Sequence, residues 1–102
     1  MTKSLRAALL ALLASLLVAC SSNAPGPLEG SWTMDGPMPM KVVFRAGETE
    51  AMGIIEKVSY KTEGNDVLVT YEDGMAKGTT MRYTVVDPNT VRTEMGTLHR
   101  DQ

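Results

Sequence analysis

Two periodicities divide the chain. From Leu5 to Ala19 the residues are almost uniformly apolar, broken only by Ser15 and one charge, Arg6. From Met40 onward apolar and polar positions alternate instead, the period-2 signature of half-buried strands. Met40, Val42, Phe44 and Ala46 share one side of such a segment, and Val67, Val69 and Tyr71 share another. Thr79, Met81, Tyr83 and Val85 form a third set, and Val91, Thr93 and Met95 a fourth. Between them lie Ala46-Gly47-Glu48, Glu63-Gly64-Asn65-Asp66, Glu72-Asp73-Gly74 and Asp87-Pro88-Asn89. Gly and Asn accept left-handed backbone and Pro presets φ, so these stretches read as turns. No window after Cys20 carries the spacing of an amphipathic helix.

The pattern predicts an all-β domain of about seven short antiparallel strands, near 30–35, 39–46, 51–60, 66–72, 77–86, 90–95 and 97–100. Short connections make it a meander of hairpins. A flat sheet would leave two edges and an apolar face open, so closure into a barrel or curled sandwich is expected. In the third strand Met52-Gly53-Ile54-Ile55 breaks the alternation, and a bulge at Gly53 is the expected reason.

The N-terminal segment has three zones: Lys3 and Arg6, then the apolar run Leu9 to Leu17, then Leu17-Val18-Ala19-Cys20. The run is shorter than a membrane span and suits a signal peptide. Leu17-Val18-Ala19-Cys20 resembles the lipobox of bacterial lipoproteins. That resemblance implies thioether attachment of diacylglycerol to Cys20, cleavage between Ala19 and Cys20, and acylation of the new amino terminus. Ser21 stands where lipoproteins retained at the inner membrane commonly carry Asp. The implied address is therefore the periplasmic face of the outer membrane, with the lipid bilayer as the first partner. The expected organisation is a signal peptide over 1–19, a lipidated N-terminus and linker over 20–28, and the β-domain over 29–102. Ser21 to Pro27 has no apolar period and reads as tether.

Composition narrows the role. Removing residues 1–19 takes Lys3 and Arg6 from a chain of formal charge −2, leaving 83 residues with eight Lys/Arg against twelve Asp/Glu, or −4. Nucleic-acid affinity comes chiefly from cations on phosphates, so that partner is not expected. The one cysteine is assigned to lipid, which leaves no disulfide to brace a small domain.

Gly30-Ser31-Trp32 opens the first long strand, and Arg92 or Arg100 lies near the C-terminus. This is similar to the Gly-x-Trp opening of lipocalin-like barrels, in which the Trp closes the barrel base against a late Arg. The resemblance implies a structural closure by Trp32 and Arg100, and it raises a carrier of a small apolar ligand as one function.

Chemistry is otherwise sparse. His99 is the single histidine, and no nucleophile is placed beside it by the sequence, so an enzyme is not expected. Seven methionines follow Cys20 against one Phe, most densely at Met34, Met38 and Met40. Thioethers select Cu(I), so Met38 and Met40 on one strand face, with His99, form a candidate copper site. Methionine also fills irregular cores. The leading expectation is a non-enzymatic, membrane-anchored domain without cofactor that binds an envelope protein, as an accessory, pilot or inhibitor, by a sheet face or by strand addition. Periplasmic Cu(I) binding and ligand carriage are the alternatives.

Overall fold

The computed structural model describes residues 21–102. Cys20, Ala19 and the leader lie outside the described residues. Nine strands appear among the described residues: β1 (Ser21–Ser22), β2 (Gly30–Met34), β3 (Met40–Arg45), β4 (Glu48–Ala51), β5 (Ile54–Glu63), β6 (Asp66–Tyr71), β7 (Thr80–Asp87), β8 (Thr90–Arg92) and β9 (Thr97–Arg100). From β2 to β9 each strand pairs antiparallel with the next, and β9 pairs back onto β2. The result is an all-β, closed, eight-stranded meander barrel. Closure pairs each of these eight strands on both sides over at least part of its length, and so removes most of the free edge that a flat sheet of this size would expose.

The alternation read from the sequence becomes inside and outside. Trp32, Phe44, Val58, Tyr60, Val67, Val69, Val91 and Leu98 point inward and are buried. Phe44 meets Tyr60 and Tyr83 edge to face, at centroid separations of 6.5 and 5.3 Å. The barrel axis is thus occupied by its own side chains, and the carrier reading gains no support from it. The Tyr60 hydroxyl lies 2.9 Å from the carbonyl oxygens of both Arg45 and Glu48, between which its one hydrogen is donated. Burial pushes the phenols of Tyr60 and Tyr83 above the ordinary tyrosine range.

Two expectations are corrected. The segment 51–60 is not one bulged strand. β4 and β5 are separate, joined by the two-residue turn Met52-Gly53, with both residues at positive φ (54° and 80°). Such turns match the twist of a hairpin and demand positive φ at both positions. β4 is hidden in the sequence because its residues, Glu48-Thr49-Glu50-Ala51, look like loop, yet Thr49 is buried.

Nor is Ser21 to Leu28 a free tether. Ser21 and Ser22 pair with Lys61 and Tyr60, extending the sheet along β5 where β4 has ended. The Asn23 carbonyl accepts a bond from the Gly47 amide at 2.8 Å, and Pro25 is buried. A 3-10 turn, Gly26–Leu28, then seats Leu28 in the core. Two apolar anchors in eight residues are too few to form a period, so sequence patterning passes over them.

Candidate functional site

A meander barrel places alternate turns at opposite ends. One end holds the turns at 46–47, 64–65 and 88–89, both chain ends of the described domain, and the Gly26–Leu28 plug. The other holds the connections 35–39, 52–53, 72–79 and 93–96. The two ends differ in chemistry.

At the first end Trp32 is completely buried, and its indole N–H donates to the Leu28 carbonyl at 2.8 Å. The guanidinium carbon of Arg100 sits 4.3 Å from the Trp32 ring centroid. Arg100 also donates to the carbonyl oxygens of Glu29 (2.7 Å), Pro88 (3.0 Å) and Pro27 (3.1 Å). One cation thus ties the plug, the β7–β8 turn and the first strand together. Gly30 is required beside it. Its φ is 119°, and a Cβ there would lie 2.8 Å from the Arg100 guanidinium. Arg100, and not Arg92, is the residue on Trp32. This end is a structural closure with small or polar turn residues: Ala46-Gly47, Gly64-Asn65 and Pro88-Asn89.

The opposite end is rimmed by methionine. Each of its four turns exposes one: Met38 (82%), Met52 (74%), Met75 (105%) and Met95 (62%). Ile54 and Ile55, also exposed, line a depression with Met75, Glu56 and Asp73. Within the same four connections Asp35, Glu72, Asp73 and Glu94 stand against the single cation Lys77. Three of these turns are firmly held. Asp35 N–H donates to the Thr97 carbonyl, Glu72 N–H to the Lys57 carbonyl, and Lys57 N–H to the Asp73 carboxylate. The Thr93 hydroxyl oxygen accepts from the Met95 and Gly96 amides at 3.0 and 3.1 Å. The rim therefore presents flexible side chains on a fixed backbone.

Met52 adds a second kind of observation. It is the only non-glycine residue at positive φ among the described residues. A left-handed conformation costs an ordinary side chain about 1–2 kcal/mol, and Asn or Gly would serve the turn better. Its side chain meanwhile buries little. Positions that break a local rule without a packing return are where function is sought.

The candidate copper residues do not share a strand face. β3 begins only at Met40, which packs partly against the core, whereas Met38 is at an exposed turn. His99 faces outward, with Nε2 2.6 Å from the Asp35 carboxylate. Among the described residues, no three His, Cys, Asp or Glu side chains are grouped to hold a metal ion. The rim was missed by sequence reading because its residues are far apart along the chain. A signal was present: in a predicted meander, every second turn holds a methionine and the others hold none.

Fold and site together define a compact antiparallel barrel with one sealed end and one apolar, acidic rim. Comparison with known protein families, curated proteins and solved structures gave no match.

Proposed function

We propose that this chain is an exported, lipid-anchored, non-enzymatic module that holds an envelope protein against the methionine rim of its barrel. The anchor reading rests on Leu17-Val18-Ala19-Cys20 and the leader before it, with the periplasmic face of the outer membrane as the address. One observation carries the binding reading: all four turns at one end expose a methionine, and no turn at the other end does. Methionine adapts its shape to an apolar partner, and full burial of one such side chain contributes about 1.5–3 kcal/mol before binding costs. Met52 holds its place against its own backbone preference, which is the expected mark of a side chain kept for contact. The anchored end and the rim are opposite poles of the barrel, so the rim is turned toward the periplasm.

Two measurements test this. Intact-mass analysis of the native polypeptide should show a diacylglyceryl-modified Cys20 as the first residue, and an unmodified thiol or a retained leader would sink the anchor. A photo-crosslinking side chain placed at Met52 or Met75 should capture an envelope protein in living cells, and one at Asn65 or Asn89 should not. Equal capture from both ends would sink the rim.

A further inference from the structure

The barrel is hydrogen-bonded unequally around its girth. β7 has eight residues, but β8 has three and pairs with β7 only from Thr84 onward. The β8–β9 hairpin ends early because Thr93 and Gly96 bond to each other, turning the chain back before it reaches the first half of β7. Strand alternation shows which groups this leaves open. Thr79 accepts from the Tyr71 amide at 2.9 Å and Val85 donates to the Asn65 carbonyl at 2.7 Å, so odd-numbered residues of this stretch bond toward β6. Thr80 and Arg82 therefore aim their N–H and C=O groups the other way. Among the described residues no backbone group pairs with them there.

We infer that this gap, the β7 edge at Thr80–Arg82, is a strand-addition site that receives an extended, alternating segment of the partner polypeptide. The inference deepens the partner-binding reading above and rests on it. Unpaired main-chain donors and acceptors at strand spacing match only another extended backbone. Between this edge and the turn after β8 runs a groove of about 510 Å³, lined by Leu68, Thr80, Met81, Arg82, Glu94 and Met95. Its chemistry sets the pattern of the guest. Met81 packs partly against the core and lines the groove with the exposed Met95, so the guest residue opposite Met81 is apolar. Arg82 and Thr80 point outward, so the flanking guest residues are polar. Arg82 already holds Asp66 on its other side, and Arg92 lines the adjoining groove. An acidic residue opposite Arg82 completes the row. Met95 belongs to both the groove and the rim, so one partner reaches both.

The test uses the full-length lipoprotein in detergent and, as probe, the capped heptapeptide Thr-Val-Glu-Val-Thr-Val-Thr. In the free protein the Thr80 and Arg82 amides should exchange with deuterium about a hundredfold faster than those of Met81 and Tyr83. The peptide should slow both amides about tenfold or more and shift resonances at Thr80–Tyr83. Thr80→Pro removes a donor that no barrel strand uses, so it should leave the fold intact and weaken the peptide about tenfold. The Arg82 amide, which needs no variant, gives the same reading if that protein melts early. Slow exchange at both amides in the free protein, or peptide shifts confined to another surface, overturns the site. Unchanged peptide affinity in a folded Thr80→Pro protein also overturns it. If crosslinking from Met75 survives in Thr80→Pro cells, the partner reading stands without strand addition. If the wild-type rim captures nothing, the partner reading itself fails.

Discussion

Replacing Arg100 with Met tests how the barrel is closed. Methionine keeps much of the length but loses the charge and all donors. Three hydrogen bonds to backbone carbonyls disappear, along with the stacking on Trp32 at 4.3 Å. The bonds are partly exposed to solvent, so each is taken at about 0.5–1 kcal/mol, at the low end for a charged donor. The cation–π contact adds about 0.5–2 kcal/mol. The total loss is about 2–5 kcal/mol, against about 4–12 kcal/mol for a whole domain of this size. At about 4–8 °C per kcal/mol, the melting temperature should fall by roughly 8–40 °C. Circular dichroism melts of the purified protein measure this directly. Arg100→Lys restores a cation but not the planar fork that reaches Glu29, Pro88 and Pro27 together, so it should recover less than half of the loss. A melting temperature for Arg100→Met within about 3 °C of wild type would refute the reasoning. The plug would then be held by Leu28 and the Trp32 indole alone.

Three further outcomes are expected. Met52→Asn should raise stability by about 1 kcal/mol, because Asn accepts the left-handed turn, while crosslinking from the neighbouring rim positions declines; a stability loss would contradict the turn assignment. Asp101 accepts from the Thr33 and Ser31 hydroxyls and pairs with Lys41, which holds its carboxyl at about 2, below the ordinary 3.8. A lowered folded value contributes stability above the unfolded value, and that contribution is lost as the pH falls from 4 toward 2. Urea midpoints across that range should therefore drop less in Asp101→Asn than in wild type. Dilute hydrogen peroxide should transfer one oxygen to the sulfurs of Met38, Met52, Met75 and Met95, releasing water, well before it reaches the buried Met34; peptide mapping that finds Met34 oxidised first would contradict the assigned exposures.

Much of the barrel is legible in the sequence because alternation is a local property. Met40 to Arg45, Asp66 to Tyr71 and Thr80 to Val85 each declare their inward residues without reference to the rest of the chain. β4 does not, since a four-residue strand with two glutamates shows only Thr49 and Ala51 to the interior. The docking of Ser21–Ser22 is likewise invisible, because main-chain pairing leaves no side-chain pattern. Gly30-Ser31-Trp32 points to closure through a motif, and the geometry supplies what the motif lacks: the place of a Cβ at Gly30 is taken by Arg100. The rim and the open β7 edge arise from topology and from the mismatch between an eight-residue and a three-residue strand. No short window of residues contains either.

The pairing of Ser21 and Ser22 with β5 has a mechanical consequence. On the proposed anchoring, one peptide bond would separate Cys20 from the first paired residue, leaving the chain little tether of its own. From Lys61, the partner of Ser21, β5 reaches the far turn at Ile54 in eight residues, about 25 Å of strand, or about 15–20 Å along the axis at ordinary barrel tilt. A molecule so anchored would work as a short post. It would offer the methionine rim in a thin layer parallel to the bilayer, and only a partner segment that reaches that layer would meet it.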